Sequence, residues 1–194
     1  MKKLFTYLFF IIFSFQTPSL ADDIRDFQIN GISVGDSLLD YFSEEEIKAK
    51  GNFVYKSKKF ITFSTKSKSN VYERLQVNYK SKDKKYLIHG VSGYLRFDNN
   101  MKACKKKKKE IVRELKDIFK DIKIIVQDKK HDYDKSGKTM VYGTFMDFKS
   151  GGYSDVYCTD WSNELTQKNG WYDALEIKIG SEEFDNFLRN EAYK

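Results

Sequence analysis

The stretch NNMKACKKKKKEIVRELKDIF, residues 99–119, carries the strongest helical pattern in the chain. At about 100° per residue, Cys104, Ile111, Leu115 and Ile118 fall on one stripe. An amphipathic helix buries such a stripe against another element of the fold. The stretch therefore predicts a helix whose Cys104 side faces a core, and the elements on either side must supply the surface that covers it.

The segments flanking this helix have the patterns of a sheet. Helix-capping residues Asp36, Ser43 and Glu46 predict a pair of short helices before Gly51. Alternating apolar residues and turn signals predict strands over 53–65, 71–80, 86–97, 122–128, 139–149, 153–161 and 171–179. Ser181 predicts the start of a last helix. The expected class is α+β: one domain with an antiparallel sheet of two meanders, a central amphipathic helix, an N-terminal helix pair and a C-terminal helix.

The start of the chain has the pattern of a secretory signal peptide. Met1-Lys2-Lys3 precedes an apolar run from Leu4 to Phe15, which is shorter than the roughly 20 residues that span a bilayer. Small residues Ser19 and Ala21 precede Asp22 at the spacing that signal peptidase requires. We expect residues 1–21 to be cleaved near Ala21 and residues 22–194 to form a single periplasmic or extracellular domain without a transmembrane segment.

Cys104 and Cys158 are the only two cysteines. Exported proteins usually oxidise such a pair, and Cys104 lies on the apolar stripe of the predicted helix. A redox or catalytic thiol is the alternative, but the sequence has no CxxC motif to support it. The sequence predicts a Cys104–Cys158 disulfide.

Positive charge is concentrated in the middle of the chain. The formal net charge is +7, and residues 46–130 carry an excess of 16 positive charges. Lys105, Lys106, Lys107, Lys108 and Lys109 are spread around the predicted helix near its start, where the helix dipole disfavours cations. They are either an ordinary solvated helix surface or a site at which Lys105, Lys106 and Lys109 bind an anion. The partner expected for such a site is an acidic protein, an anionic membrane surface or another polyanion. No specific nucleic-acid-binding motif is present.

Two loop and strand patterns have both a structural and a functional interpretation. Asp132, Asp134 and Ser136 match the first half of a calcium-binding loop, but position twelve is Gly143 and not the bidentate glutamate. A hairpin turn explains the same residues, so we expect no metal and no cofactor. His89 shares a predicted apolar strand face with Leu87, which favours a histidine packed in the core over a catalyst.

Tyr153, Tyr157 and Trp161 alternate along one predicted strand. Such a stripe either packs in a core or stacks against sugar rings. No GxGxxG, phosphate loop or nucleophile elbow is present, so the commonest enzyme motifs are absent. The expected function is that of a non-enzymatic, exported binding or envelope-associated module. The alternatives are a hydrolase-type enzyme of an unfamiliar family and a glycan-binding protein that uses this stripe.

Overall fold

The computed structural model describes residues 24–49, 53–119, 121–149 and 151–193; the predicted signal peptide lies outside these residues. The described chain contains ten strands and four α-helices. The strands are β1 (Gln28–Ile29), β2 (Ile32–Ser33), β3 (Phe53–Val54), β4 (Phe60–Lys66), β5 (Arg74–Lys80), β6 (Ile88–Arg96), β7 (Ile122–Lys130), β8 (Met140–Phe148), β9 (Tyr153–Asp160) and β10 (Ala174–Gly180). The helices are α1 (Glu44–Ala49), α2 (Met101–Ile118), α3 (Asn163–Asn169) and α4 (Glu182–Asn190).

Eight of the strands form one sheet in the order β3-β4-β5-β6-β10-β9-β8-β7, in which every neighbouring pair is antiparallel. The predicted α+β class with a large antiparallel sheet is therefore confirmed. The predicted arrangement in two meanders does not describe it well. Strand β10 pairs with both β6 and β9, so the strands before and after α2 merge into a single sheet.

The predicted N-terminal helix pair is wrong in its first member. Gly31 and Gly35 adopt positive φ angles, and the chain there forms the small β1–β2 ribbon followed by a 3-10 turn at Leu38–Asp40. The second member is α1, and its capping box is present: the Glu46 amide donates to the Ser43 hydroxyl at 3.2 Å and the Ser43 amide to the Glu46 carboxylate at 2.9 Å. Helix α3 was not predicted.

Helix α2 packs against β9 and β10 on one face of the sheet. Asn100 caps its start by accepting a hydrogen bond from the Ala103 amide at 3.1 Å. As predicted, Cys104 and Leu115 are buried. Cys104 is bonded to Cys158 of β9, with an S–S distance of 2.01 Å, so the predicted disulfide is present. The stripe was misread at its end, because Ile118 is 41% exposed and Phe119 takes its place in the core.

Strand β6 differs from the predicted alternation because a β-bulge shifts its register between Asn78 and Tyr79 of β5. Ile88 and Val91 are buried in the core under α2, and Leu87 is 38% exposed. His89 packs its ring 5.3 Å from that of Phe60. The expectation that Leu87 and His89 share the buried face was therefore wrong, because one extra residue in a strand reverses the faces that follow it.

The opposite face of the sheet is only partly covered. Helix α4 lies over one end of it, where a second apolar cluster contains Tyr55, Phe60, Tyr153, Phe184 and Phe187. Ser181 caps α4 as predicted, by accepting from the Phe184 amide at 3.3 Å. The other end of this face, beyond α4, is left open for a cleft.

Removing the disulfide should destabilise the fold without changing its topology. The two cysteines are 54 residues apart, and closing a loop of this size contributes about 4 kcal/mol in the chain-entropy model. We expect the Cys104→Ala/Cys158→Ala variant to lose about 2–4 kcal/mol of unfolding free energy in urea denaturation. Reduced parent protein is the control and should match the variant. Equal stability of the variant and the oxidised parent would show that the bond does not stabilise the fold.

Candidate ligand-binding cleft

A cleft of about 340 Å³ opens on the sheet face opposite α2, beyond the end covered by α4. This volume is within the range of small-molecule sites. Five of the side chains that line it are tyrosines or tryptophans: Tyr94, Tyr157, Trp161, Trp171 and Tyr172. The remaining side chains are largely polar, so the cleft combines flat apolar surfaces with a few hydrogen-bonding groups.

The floor of the cleft is set by strand register. Glu176 of β10 lies directly between Tyr94 of β6 and Tyr157 of β9, so the three side chains point from the same face. The Tyr157 hydroxyl donates a hydrogen bond to the Glu176 carboxylate. Lys178, two residues along β10, places its Nζ 3.5 Å from the second carboxylate oxygen. Glu176 is 7% exposed, so a buried acid is held by a phenol and an ammonium group.

Lys178 is stabilised in its charged form by the same neighbours. Burial alone lowers the pKa of a lysine, but Glu176 and the surrounding tyrosines outweigh it and raise the pKa of Lys178 well above its usual value. The Glu176 side chain on the floor of the cleft therefore has a cationic lysine beside it.

Arg74 and Gln76 of β5 form the polar side of the cleft. The Tyr94 hydroxyl donates to the Gln76 carbonyl oxygen at 2.6 Å. The Arg74 guanidinium stacks on the Tyr94 ring, with its central carbon 4.3 Å from the ring centroid. Among the described residues no carboxylate forms an ion pair with Arg74. A planar donor group thus lines the cleft without an acidic protein partner.

A row of rings forms the rim. His131 lies 4.7 Å from Trp161, Trp161 lies 4.4 Å from Trp171, and Trp171 lies 5.0 Å from Tyr133, all measured between ring centroids. Asp173 fixes one of these residues by accepting a hydrogen bond from the Trp161 amide at 2.8 Å. The row is built from three separate segments of the chain, and it faces the cleft from above the sheet.

The segment that carries Trp171 is held by the end of α3. Gly170 ends this helix in the left-handed conformation, with φ 66°, and its amide bonds back to the Thr166 carbonyl at 3.0 Å. The chain can then turn directly into Trp171. Helix α3 therefore serves to place a wall of the cleft.

A smaller cavity of about 210 Å³ adjoins the cleft and shares His131 and Tyr157 with it. Asp155 and Lys178 line this second cavity. Burial raises the pKa of Asp155 to about 7; the negative charges of Glu176 and Asp185 act in the same direction, and Lys178 and Arg189 oppose them. Burial also lowers the pKa of His131, so its imidazole is neutral at pH 7.

The structure divides the predicted aromatic stripe. Tyr157 and Trp161 line the cleft, but Tyr153 is 2% exposed and packs under α4. Tyr153 is therefore a core residue, because α4 covers the end of β9 on which it lies. Sequence analysis missed Arg74, Trp171 and Glu176, which come from other segments. The Asn169-Gly170 turn next to Trp171 was the only local signal for any of them.

The predicted calcium-loop residues form a turn. The two carboxylate oxygens of Asp134 are both occupied: Oδ1 accepts from the amide and hydroxyl of Ser136, and Oδ2 from the amide and hydroxyl of Thr139. These hydrogen bonds lower the pKa of Asp134. Asp132 borders the smaller cavity. Across the described residues no cluster of three or more potential protein ligands for a metal is found.

The lysines at the start of α2 do not form one equivalent group. Lys105 places its Nζ 3.3 Å from the centroid of the Tyr142 ring, and buried Lys108 donates to the Tyr142 carbonyl at 3.0 Å. Lys106 and Lys109 are exposed. Of the three predicted anion-binding lysines, two are thus free of such packing and Lys105 is held against β8.

His89 lies outside the cleft. Its Nδ1 is 3.3 Å from the Ser181 hydroxyl and 3.8 Å from the Glu183 carboxylate, near the start of α4. Burial is the main cause that lowers the pKa of His89, and repulsion from the Lys80 ammonium group lowers it further. Its contacts fasten α4 to the sheet.

No protein-family model, no curated protein and no solved structure matches this chain. Among the helices of the described residues, none combines the length and the apolar character needed to cross a membrane.

Replacing Asp155 should change how stability depends on pH. The folded-state pKa of about 7 lies above the usual value near 4, so the folded parent loses stability as pH rises from about 4 to about 7. Asp155→Asn removes this loss of stability. The loss is at most about 4 kcal/mol, because the folded and unfolded pKa values differ by about three units. We expect the melting temperature of the variant, relative to the parent, to rise between pH 5 and pH 8. Asp132→Asn, at an exposed position on the same cavity, is the control; a parallel pH profile for parent and Asp155→Asn would contradict the assignment.

Asp134→Ala should destabilise the turn that carries His131. It leaves the amide and hydroxyl of buried Thr139 without their acceptor, at a cost of about 1–3 kcal/mol. Calcium should not change the melting temperature of the parent, because Asp134 is already saturated with hydrogen bonds. Differential scanning fluorimetry with and without calcium tests both statements. Stabilisation by calcium that Asp134→Ala abolishes would identify the turn as a metal site.

Proposed function

We propose that this protein is an exported, non-enzymatic binding protein whose cleft takes a sugar ring. The proposal depends on the chemistry of one site, since family relationships supply no information. The observation that supports it most strongly is the arrangement of Tyr157, Trp161 and Trp171 around a cavity whose floor is polar.

The chemistry of a pyranose matches this arrangement. One face of the ring presents C–H groups that bury well against a flat aromatic side chain, and its edge presents hydroxyl groups. Around the cleft, the planar guanidinium group of Arg74 supplies N–H donors. The side-chain NH2 group of Gln76 supplies further donors, while its carbonyl oxygen already accepts a hydrogen bond from Tyr94. An aliphatic ligand would leave these polar groups without partners, and a small ion would not use the rings.

The floor favours binding over catalysis. The Glu176 carboxylate is engaged by Tyr157 and Lys178, so it is positioned as a fixed acceptor. A fixed acceptor in a preformed site confers specificity for hydroxyl groups at low conformational cost. The proposed role is therefore recognition of a saccharide, and the protein is expected to release it unchanged.

One observation favours a second candidate, hydrolysis of a glycosidic bond. Asp155, whose pKa is raised to about 7, is paired directly with Lys178 of the neighbouring strand and lies diagonal to Glu176. Hydrolysis of a glycosidic bond requires two carboxyl groups, one acting as an acid and one as a base or nucleophile, and different environments can separate these roles. Under this candidate, Asp155→Asn would abolish turnover of a chromogenic glycoside and leave saccharide binding intact. Absence of turnover by the parent over a panel of glycosides would remove this candidate.

The proposal of an exported location is supported by the sequence pattern of residues 1–21, and a disulfide-bonded fold is compatible with it. Expression of the full chain with fractionation and intact-mass measurement tests it. The expected product begins at Asp22 and is found outside the cytoplasm; an uncleaved cytoplasmic product would contradict export.

Saccharide binding should depend on the rim tryptophans. Trp171→Ala removes a wall of the cleft, and we expect affinity for a binding oligosaccharide to fall at least about 5-fold, because stacking of one ring contributes on the order of 1 kcal/mol or more. Isothermal titration calorimetry against a panel of neutral and acidic oligosaccharides provides the measurement. Tyr193→Ala is the matched control, since Tyr193 is 79% exposed and does not line the cleft. Unchanged affinity in Trp171→Ala would place the ligand elsewhere.

A further inference from the structure

Helix α2 separates most of its charged residues around its circumference. The cations Lys102, Lys105, Lys106, Lys109, Arg113 and Lys116 all fall within about 100° of the helix circumference. The acids of α2, Glu110, Glu114 and Asp117, lie together beside this stripe, on the side further from β7 and β8. The run of five lysines does not show this stripe by itself, because Arg113 and Lys116 in the following turns belong to it. We call these six cations the basic stripe.

The basic stripe borders the edge strand of the sheet. A groove of about 370 Å³ lies between α2 and the outer strands; Lys109, Val112, Arg113 and Lys116 line its helix side, and Val126 of β7 lines the other. Lys108, in the first half of α2, interacts electrostatically with Asp128, near the end of β7. At about 1.5 Å per helical residue and 3.3 Å per strand residue, α2 and β7 are both close to 30 Å long.

Strand β7 is an unprotected edge. It has nine residues and pairs with β8 on one side, and among the described strands it has no neighbour on the other. Val126 is 71% exposed and Ile125 is 44% exposed, on opposite faces of the strand. A long edge of this kind presents unpaired backbone N–H and C=O groups to another chain. By contrast, β3 at the other edge has only two residues.

We propose that β7 binds an extended acidic segment of another protein, which adds to the sheet as a ninth strand beside the basic stripe. Main-chain hydrogen bonds to β7 would supply affinity, and alternate side chains would supply specificity. On the face of α2, carboxylates of the segment would approach Lys109, Arg113 and Lys116; on the opposite face, its alternating apolar side chains would cover Ile125. The cations Lys123, Lys129 and Lys130 of β7 itself favour the same negative charge.

A strand is favoured over other occupants by the shape of the exposed surface. The exposed apolar residues of β7 point to opposite faces, which suits an extended chain and gives no continuous apolar surface for a helix. A neutral segment would leave the basic stripe unused. The interaction does not involve the cleft, which lies on the opposite face of the sheet, so it stands independently of saccharide binding.

The test uses a capped peptide of four glutamate–valine pairs as the probe, with the same peptide N-methylated at every backbone amide as its control. The two peptides carry equal charge, but N-methylation removes every backbone N–H donor, including those that would face β7. NMR hydrogen exchange should show slower exchange of amides within Ile122–Lys130 when the first peptide binds. The N-methylated peptide should bind at least about 10-fold more weakly, since it has no N–H groups with which to complete a strand ladder.

Charge is tested separately with Lys109→Glu/Lys116→Glu, for which we expect about a 10-fold loss of affinity and a weaker dependence on salt. Lys82→Glu/Lys84→Glu is the matched control, with the same net charge and exposed positions on the β5–β6 turn. Equal binding of both peptides would overturn strand addition. Strand addition by another protein would also be overturned if, without peptide, protection of the β7 amides increased with protein concentration. A second copy of this chain would then be the occupant of the edge. Equal losses in the two charge variants would overturn the basic stripe as the determinant.

Discussion

The attachment of α2 to β9 through Cys104 and Cys158 is the constraint on which the rest of the structure depends. It fixes which face of the sheet is closed by the long helix, and the core under α2 contains residues from both halves of the sheet. Strand β9 therefore has two roles. Cys158 and Val156 point into the core, and Tyr157, between them in sequence, points into the cleft on the other face. A firmly held strand gives the ligand-facing side chains fixed positions, which a binding site requires.

The cleft contains charged groups that the fold alone does not need. Burying a carboxylate and an ammonium group is costly even when they are paired, and apolar residues of similar size often stabilise a protein more. Here Glu176 and Lys178 lie on a sheet face close to Asp155, a third titratable group held partly protonated near neutral pH. Strongly shifted groups that converge beside a cavity are typical of functional sites. Together with the row of rings, they distinguish this end of the sheet from the end that α4 covers with apolar side chains.

The sequence was sufficient where a local pattern determined the structure. The stripe through Cys104 and Leu115, the caps at Ser43 and Ser181 and the disulfide all depend on spacing along one element. It failed where the outcome depended on pairing between distant strands. The bulge in β6 moved Leu87 and His89 to new environments, and the pairing of β10 with β6 joined strands that the sequence pattern assigned to separate meanders. The site was half predicted for the same reason. Tyr157 lies on β9 and Trp161 directly follows it, whereas Arg74, Tyr94 and Glu176 come from β5, β6 and β10 and are aligned with them by strand register.

The central claim is that the aromatic cleft binds a saccharide, and the chain provides a direct probe of it. Trp161 and Trp171 are the only two tryptophans in the sequence, and both line the cleft. Their two indole N–H resonances can therefore be followed by NMR while oligosaccharides of different composition are added to the intact, oxidised protein. If the cleft binds a saccharide, both resonances shift saturably with at least one class of oligosaccharide. In Trp171→Ala, the remaining Trp161 resonance no longer shifts with that oligosaccharide. If neither indole resonance shifted with neutral, amino or acidic sugars, saccharide binding in the cleft would be contradicted.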